Sequence, residues 1–414
     1  MRVLLCSVSY LPFLDGRSIF TAKLAEGMAA RGHQVVVLTP SKLGFPHQEW
    51  RLGVQLIRTP GLHLRLFNKE IWLPLTIYSF LRQTFRQIQP DIVHIQDPSP
   101  LGQAVMHEAQ RLGIPIMITH HPGSEITAPY LHDVNPYLKR LTEKAVWKYF
   151  IAHLNQADQV VVPSRYSAHL VKDHGTQAPV QTIHCGVQLE VFRPHHDQDC
   201  MVRKNYGLDP EKTLFLYVGR VDVEKNLEVM LHAMAKVQRT DVQFAIAGRG
   251  FREAALRRLA SELKLGRRVR FLGAVEHAAL PNLLNCADVF VMSGSAESFS
   301  IATLEAMACG KPILAAHGGA LPELVSHGWN GCLFQPTSPE DAARWIEAMA
   351  ESPERLAEMG KNSMRKAQNY SINHVLQNYE DAYLRCIGKR EVEVLRPGRL
   401  VEPVVMPVTS RRLK

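Results

Sequence analysis

Short apolar runs alternate with helical patterns along this chain, and the alternation occurs twice. The runs predicted to be strands in the first half are residues 3–8, 35–39, 54–57, 92–95, 116–119 and 159–162. Those in the second half are residues 214–218, 243–247, 269–272, 289–292 and 313–315. Strands that alternate with helices form parallel sheets whose crossover helices pack on the faces. The pattern therefore predicts an α/β fold of two doubly wound, Rossmann-like domains that face a central cleft.

The length of the chain and one irregular stretch locate the domain boundaries. A chain of 414 residues is longer than one hydrophobic core usually serves. Residues 193–199 are rich in Pro, His and Asp and lack apolar periodicity, so we place a linker near residues 186–200. The predicted segments are a first domain at 1–190, a second domain at 191–371, a closing helix at 372–388 and a basic, disordered tail at 389–414.

Composition and charge narrow the class of protein. The nearest approach to a membrane span is residues 71–80, about half the length that a spanning helix needs. The seven cysteines include no CxxC pair, which favours a reducing cytoplasm over a disulfide framework. The net charge of +9 is not gathered into a basic face with interleaved aromatic residues. We therefore expect no nucleic-acid partner, and an anionic ligand or an anionic membrane surface fits the charge better.

Two glutamates stand out in the segment VFVMSGSAESFSIATLEAMACGKPI. Glu297 follows a strand and a Ser/Gly turn and precedes a helix that Ser298 could cap. A carboxylate there is stabilised by the helix dipole and can accept hydrogen bonds from sugar hydroxyls. Glu305 lies in the same helix, four residues after Ile301, where it can reach a diol such as a ribose.

The turn that begins this helix also offers backbone donors. The N–H groups of Phe299, Ser300 and Ile301 are suited to a phosphate oxygen. Ligands of open α/β sheets bind beyond the carboxyl ends of the strands. We therefore expect this turn to line the cleft between the two sheets.

Two cations follow the first strand of the second half. Arg220 and Lys225 lie in the loop of LFLYVGRVDVEKNL, where fixed positive charge would stabilise a departing diphosphate. A surface salt bridge of Lys225 with Glu224 or Glu228 is an equally ordinary interpretation of the same residues. The position of the loop at a strand's carboxyl end favours the diphosphate site.

Two other motifs are weak. Asp197-Gln198-Asp199 spells the D-x-D of some metal-dependent transferases, but it lies in the polar linker with no strand before it. Gly248-Arg249-Gly250 begins like a dinucleotide loop, yet position 253 is Glu where the third glycine would stand. We predict neither a metal site nor a nicotinamide site.

Three stretches of the second half resemble one enzyme family. GRVDVEKNLE, FLGAVEHAALPNLLNCADVFVMSGSAESFSIATLEAMACGKPI and GGALPELVSHGWNGCLF are similar to the retaining glycosyltransferases of glycosyltransferase family 4, also called glycosyl transferases group 1. That family includes sucrose, glycogen and phosphatidylinositol-mannoside synthases and has the GT-B fold. The resemblance implies that Glu297 contacts the donor sugar, Glu305 binds the ribose, and Arg220 and Lys225 hold the diphosphate.

The first half resembles the same family less densely. SYLPFLDGRSIFTAKLAEGMAARGHQVVVLTP is similar to its opening strand, glycine loop and helix, with Asp15-Gly16 where the family has two glycines. The resemblance therefore places Gly16 beside the donor phosphates. Thr119-His120-His121 is similar to the T-x-H of the family, which implies that His121 lies near the donor sugar, with His120 as the alternative.

The resemblance and the residues together define the expected reaction. We expect a cytoplasmic, metal-independent and cofactor-free enzyme that moves a sugar from a nucleotide sugar, most commonly a UDP-sugar in this family, to an acceptor hydroxyl with retention. No residue is an obvious covalent nucleophile, which favours attack of the acceptor on the same face as the leaving phosphate. A nucleotide-sugar epimerase or hydrolase, or a non-catalytic binding protein, could share the fold.

The acceptor is left open between a membrane lipid or glycolipid and a soluble glycan or small molecule. Two segments mix aromatic and basic side chains in the manner of peripheral membrane proteins. The residues concerned are Trp72, Leu73, Tyr78, Phe80, Lys139, Arg140, Lys144 and Lys148. Apolar residues in helical patterns are more often core than membrane anchor, so both acceptor classes stand.

Overall fold

The computed structural model describes residues 1–11, 16–41, 43–66, 69–74, 77–121, 136–195 and 199–395. Two largely parallel sheets, one in each half of the chain, carry helices on their faces. The predicted α/β fold with two doubly wound domains is therefore confirmed.

The first domain is built on an eight-stranded sheet. Its strand order is β10-β9-β8-β7-β1-β2-β4-β3, and every neighbouring pair is parallel except the antiparallel edge pair β3–β4. A separate antiparallel hairpin consists of β5 and β6. The strands are β1 (Arg2–Cys6), β2 (Gln34–Pro40), β3 (His47–Arg51), β4 (Val54–Thr59), β5 (Gly61–Leu66), β6 (Lys69–Pro74), β7 (Ile92–Ile95), β8 (Ile116–Thr119), β9 (Gln159–Val162) and β10 (Val180–Thr182).

Helices cover both faces of the first sheet. They are α1 (Gly16–Ala30), α2 (Ile77–Ile88), α3 (Pro100–Arg111), α4 (Pro136–Leu154) and α5 (Arg165–Asp173). Apolar residues of α2 and α3 pack with one face of the sheet, and residues of α1 pack with the other. The central strands therefore bury both of their faces, which explains why residues 3–6 of β1 and 116–118 of β8 are continuous apolar runs.

The second domain has a six-stranded sheet that is parallel throughout. Its order is β13-β12-β11-β14-β15-β16, and its strands are β11 (Thr213–Val218), β12 (Val242–Ala247), β13 (Val269–Gly273), β14 (Val289–Met292), β15 (Ile313–Ala316) and β16 (Gly331–Phe334). Its helices are α6 (Asp199–Asn205), α7 (Leu227–Lys236), α8 (Glu253–Glu262), α9 (Leu280–Asn285), α10 (Ile301–Ala308), α11 (Leu321–Leu324), α12 (Pro339–Ala350) and α13 (Pro353–Ala367). The chain ends its described part with α14 (Ile372–Leu395).

Two crossings of the chain connect the domains, and they lie side by side. The N–H of Val187 donates to the carbonyl of Tyr370 at 2.9 Å, and the N–H of Ile372 donates to the carbonyl of Val187 at 2.9 Å. A Cβ at Gly186 would lie 2.8 Å from the Cα of Ile372, so this close approach needs glycine. The junction is therefore a pair of hydrogen-bonded segments rather than a free linker.

After the second crossing, α14 returns to the first domain. Its Tyr383 hydroxyl lies 2.6 Å from Nδ1 of His94 on β7, and its Tyr379 stacks on the same imidazole. Burial lowers the pKa of His94 to about 3, so this histidine is neutral at pH 7. The helix predicted to end at residue 388 continues to Leu395, because no proline interrupts residues 389–395. The helix therefore extends into the segment predicted as the tail, and residues 396–414 lie outside the described part.

The sequence located the central strands and the edge strand β13, and it missed the edge strands β3, β10 and β16 and the hairpin of β5 and β6. Each of the eleven predicted strands overlaps an observed one to within two residues. The missed β3 has mostly exposed, polar side chains, so it carries no apolar alternation. No helix among the described residues is long and apolar enough to cross a membrane.

Candidate active site

The turn before α10 is the structural centre of the site. Ser300 is the residue that caps this helix, and its Oγ accepts a hydrogen bond from the N–H of Thr303. Its backbone has φ 74° and ψ 86°, a left-handed conformation that favours glycine. The prediction that Ser298 caps the helix was therefore wrong by two residues. The first N–H groups of α10 lack helical acceptors and are donors for a ligand at this end.

Glu297 and Lys225 form an ion pair in front of this turn. Lys225 Nζ donates to Oε1 of Glu297 at 2.5 Å, and both side chains are mostly buried. The expected alternative partners of Lys225 are engaged elsewhere, since Glu224 binds Arg220 and Glu228 binds Arg252. The structure thus joins the two loops that the sequence singled out separately.

Arg220 lies on the outer side of the same loop. Its guanidinium bonds Asp222 at 2.6 Å and Glu224 at 2.5 Å, and about half of its side chain is exposed. The Tyr217 hydroxyl donates to the Arg220 carbonyl at 2.6 Å and fixes the backbone at the end of β11. Both carboxylates are almost fully buried and need this partner, but a guanidinium has five N–H donors, and its exposed part leaves donors for a phosphate.

Neighbouring loops hold this arrangement in place. Ser293 Oγ donates to the carbonyl of Lys225 at 2.6 Å, and the N–H of Ala320 donates to the carbonyl of Glu297 at 2.8 Å. A Cβ at Gly319 would lie 2.5 Å from that same carbonyl oxygen. The backbone of the site is therefore positioned by contacts that only a small residue allows.

The Gly248-Arg249-Gly250 motif also supports this loop. A Cβ at Gly248 would lie 1.8 Å from the Gly219 oxygen, and one at Gly250 would lie 2.3 Å from the Val221 oxygen. These glycines let the loop after β12 pack on the loop that carries Arg220. Their structural role accounts for the incomplete dinucleotide pattern.

The first domain meets this site through the beginning of α1. A Cβ at Gly16 would lie 4.0 Å from Cδ1 of Ile301, so the first residues of α1 and α10 face each other across the cleft. Both helices direct the positive end of their dipole to this point. Two helix N-termini from different domains and the cations of the Arg220 loop suit a doubly charged anion.

Glu305 is buried one turn further along α10. Burial raises the pKa of its carboxyl to about 7, and the nearby Lys23 opposes this increase. Lys23 Nζ lies 3.8 Å from Oε1 of Glu305 and comes from α1 of the first domain. The sequence analysis missed Lys23; its only signal was the seven-residue spacing from Gly16, which places both on one face of a helix.

The two candidate histidines after β8 have different surroundings. His120 is buried, with its ring near those of Trp147 and Phe150 on α4. His121 is partly exposed and contacts the ring of Phe20 on α1 at 5.6 Å between centroids. His121 is therefore the one on the side of α1, where the cleft opens. Residues 122–135 and Asp15 lie outside the described part.

Other contacts across the domain junction were missed by sequence reasoning. Phe299 is buried, and its ring stacks on His184. Its side chain therefore packs in the domain junction, while its backbone forms part of the turn before α10. Glu323 accepts hydrogen bonds from the N–H groups of Arg165 at 3.0 Å and Tyr166 at 2.8 Å, and thereby caps α5 of the other domain. Glu323 is the sixth residue of GGALPEL, and nothing in this segment indicates a partner so distant in the chain.

No cluster of three or more His, Cys, Asp or Glu side chains suited to a metal ion occurs among the described residues. The D-x-D pattern falls partly outside them, because residues 197 and 198 are not described. Asp199 begins the short helix α6.

Known families and proteins match this chain over most of its length. The family described as "Glycosyl transferases group 1" matches residues 201–366, and the one described as "Glycosyltransferase Family 4" matches residues 15–191. A GDP-mannose-dependent alpha-mannosyltransferase of Corynebacterium glutamicum is 27% identical over 92% of this chain and 89% of its own length. An alpha-monoglucosyldiacylglycerol synthase of Acholeplasma laidlawii is 25% identical over 94% and 98%.

Solved structures share the fold. Sucrose-phosphate synthase from Thermosynechococcus elongatus superimposes with a TM-score of 0.76 at 23% identity, over 94% of this chain and 99% of that one. Anabaena HepE in complex with UDP-glucose superimposes with a TM-score of 0.75 at 20% identity, over 92% and 99%.

These matches, together with the two facing domains, define the class: the chain is a GT-B glycosyltransferase that acts on nucleotide sugars. It belongs to the glycosyltransferase family 4 type, with both halves of the family pattern present. The epimerase, hydrolase and non-catalytic alternatives lose their support at this point.

Proposed function

We propose that this enzyme transfers a sugar from UDP to an acceptor hydroxyl with retention at the anomeric carbon. The Lys225–Glu297 ion pair, at the turn that precedes α10, is the observation that carries the proposal. The diphosphate binds at the N-termini of α1 and α10 with Arg220 and Lys225. The sugar lies against Glu297, with His121 on the opposite wall of the cleft.

Each charged group has one part in the proposed step. As the bond from the anomeric carbon to phosphate breaks, negative charge accumulates on the leaving oxygen, and Lys225 and Arg220 stabilise it. Glu297, held by Lys225, accepts hydrogen bonds from sugar hydroxyls and orients the ring. The acceptor attacks the same face, and its proton passes to the departing phosphate.

Fixed cations and helix dipoles replace a divalent metal in this proposal. Lys225, Arg220 and the two helix ends supply the positive charge that a bound Mg²⁺ would otherwise bring to a diphosphate. Turnover should therefore be unchanged by excess EDTA. A strict requirement for added Mg²⁺ or Mn²⁺ would overturn the metal-independent mechanism.

A panel of nucleotide sugars tests the donor. UDP-, GDP- and ADP-sugars are incubated with the enzyme and a lipid extract, and release of the nucleoside diphosphate is measured. UDP release that depends on the extract supports the proposal. Release from GDP-mannose alone would instead assign a guanine donor, as named for the Corynebacterium relative. The anomeric configuration of the product, read by NMR, tests retention.

A lipid or glycolipid at an anionic membrane surface is the proposed acceptor, and helix α4 supports it. Tyr137 and Leu141 are exposed there beside Arg140, Lys144 and Lys148, at helical spacing along one face. The Acholeplasma relative is named for a lipid product.

Of the other predicted contacts, Tyr78 is exposed, Phe80 packs against the core, and the side chains of Trp72, Leu73 and Lys139 are not described.

Co-sedimentation with liposomes tests the membrane surface. Vesicles that contain anionic lipid should bind the enzyme at low salt, and the triple variant Arg140→Glu, Lys144→Glu, Lys148→Glu should lose that binding. The matched control reverses three exposed charges of the second domain, Arg258, Lys264 and Arg267. Equal binding by both triple variants would contradict the assignment to α4. If the wild type itself does not bind anionic vesicles at low salt, a soluble acceptor is the remaining class.

A further inference from the structure

Lys23 and Glu305 are two buried ionisable groups that approach each other without a hydrogen bond. Their side chains are 14% and 6% exposed, and Nζ and Oε1 are 3.8 Å apart. Neither atom has a hydrogen-bond partner within the described part of the chain. Burying polar atoms in this state is costly, so both atoms keep unused hydrogen-bonding capacity 3.8 Å from each other.

A hydroxyl group matches that capacity. An ammonium can only donate and a carboxylate can only accept, whereas a hydroxyl does both at once. A hydroxyl oxygen between the two groups would accept from Nζ of Lys23 and donate its proton to Oε1 of Glu305. Both bonds would involve a charged partner, and such bonds are stronger than neutral ones.

The surroundings of Lys23 favour a small polar ligand beside a flat apolar wall. Its Nζ lies 5.9 Å from the centre of the Phe192 ring, which packs edge-on with the His277 ring at 5.8 Å. Burial, and then the positive charge of Lys23, lower the pKa of His277, so this ring is neutral at pH 7. Lys23 also lowers the pKa of the buried Cys185 thiol, although burial raises it overall. Glu305 is the one carboxylate within salt-bridge distance of Lys23 among the described residues.

We propose that Lys23 is a ligand of the donor ribose, and that it shares one ribose hydroxyl with Glu305. The inference rests on the proposed function, because it requires a nucleoside diphosphate in the cleft. Lys23 belongs to α1 and Glu305 to α10, so the ribose is held by both domains. The nucleotide thereby joins the domains at the ribose as well as at the phosphates, and the enzyme discriminates against deoxyribose.

Binding of nucleotides by calorimetry tests this assignment. The ligands are UDP and GDP with their 2′-deoxy and 3′-deoxy analogues, and the proteins are the wild type, Lys23→Met, Lys23→Arg and Lys236→Met. Lys236 is a matched control because it pairs with Glu340 at 3.0 Å on the surface of the second domain. Loss of a charged hydrogen bond should weaken binding by roughly 10- to 100-fold.

The proposal predicts a specific pattern. The wild type and Lys236→Met should bind the ribonucleotide more tightly than one of its deoxy analogues by that factor. Lys23→Met should bind the ribonucleotide more weakly and the deoxy analogue nearly as before, so discrimination should fall to the smaller factor that Glu305 provides by itself. Lys23→Arg keeps a charged donor and should retain most of the discrimination against the deoxy analogue. This variant tests the assignment if Lys23→Met does not fold.

Two results distinguish a failure of the proposed function from a failure of the role assigned to Lys23. If the wild type binds neither UDP nor GDP nor any nucleotide sugar, the proposed function fails. If the wild type binds and Lys23→Met discriminates against deoxyribose as strongly as the wild type does, the assignment of Lys23 fails while the proposed function stands.

Discussion

At the residue scale, the structure changes how the charged groups of the site are understood. Lys225 is paired with Glu297 rather than with Glu224 or Glu228 nearby in the chain, so two residues 72 positions apart act as a unit. Glu305 was placed by its spacing from Ile301, but its burial and its contact with Lys23 come from the meeting of two domains. Spacing identifies which residues share a face, and it does not identify what faces them.

The Lys225–Glu297 pair makes a first prediction. Glu297→Gln and Lys225→Met should each lower kcat by at least about 100-fold, because each removes a group that acts in the transition state. Each leaves a mostly buried partner without its counter-charge, so we expect a loss of about 1–3 kcal/mol in stability. Rates of nucleoside diphosphate release and urea unfolding measure both effects.

The surface pair Lys236–Glu340 provides the control for this prediction. Its members are 48% and 66% exposed, so Lys236→Met and Glu340→Gln should change neither rate nor stability appreciably. Near-normal turnover by Glu297→Gln would refute the role given to that residue.

The buried carboxyl of Glu305 predicts a pH dependence. Its pKa is raised from 4.5 to about 7 in the folded protein, so between these values the native state holds a proton that the unfolded state has lost. This group therefore contributes less to stability as pH rises from 4.5 to 7. We subtract the free energy of unfolding of Glu305→Gln from that of the wild type. This difference should be larger at pH 5 than at pH 7.5, by at most about 3 kcal/mol.

Urea unfolding of both proteins at the two pH values measures this difference. The titration of His94, His153 and the other histidines is common to both proteins and cancels in the comparison. A difference that is independent of pH would contradict a raised pKa for Glu305.

At the element scale, the N-terminus of α10 combines an unfavourable backbone with a favourable cap. Ser300 adopts φ 74°. Its Oγ accepts a hydrogen bond from the N–H of Thr303 and lies 2.7 Å from the Thr303 hydroxyl oxygen. Strain of this kind is held in place by surrounding contacts and is frequent at functional sites. The helix starts here because the cap and the turn agree, although a serine is a poor residue for that turn.

Substitution of Ser300 separates the two effects. Ser300→Ala removes the cap and keeps the strain, so stability should fall by about 0.5–2 kcal/mol. Ser300→Gly also removes the cap but relieves the strain, so stability should change little or increase. Thermal unfolding compares the two variants, and an alanine variant more stable than the glycine variant would contradict the assigned backbone strain.

At the scale of the whole molecule, the two chain crossings determine how the domains face each other. Gly186 lies against the backbone of Ile372, where a Cβ would be only 2.8 Å from Cα. The returning helix α14 is anchored to the first domain by the neutral His94, Tyr379 and Tyr383. The junction therefore sets the relative position of the two domains, and with it the distance between Gly16 and Ile301 across the cleft.

A glycine pair tests this role of the junction. Gly186→Ala should force the crossings apart and lower turnover several-fold while each domain stays folded. Gly388→Ala is the control, because it adds the same methyl group to α14 where a Cβ would meet no heavy atom within 4 Å. This variant should leave turnover unchanged and raise stability by about 0.5–1 kcal/mol. Steady-state kinetics and circular dichroism decide between them, and equal turnover by both variants would exclude the junction as a determinant of the cleft.

The sequence by itself determined the class of fold, the central strands and the loops that the structure brings together at the turn before α10. Buried parallel strands are continuous apolar runs, and the loops at their carboxyl ends carry the polar motifs, so both features are local in the chain. Tertiary structure alone decided the Lys225–Glu297 pair, the approach of Lys23 to Glu305, and the cap that Glu323 provides for α5. These contacts join residues 72, 282 and 157 positions apart, and only the packing of two domains around the junction brings such residues within a few ångströms.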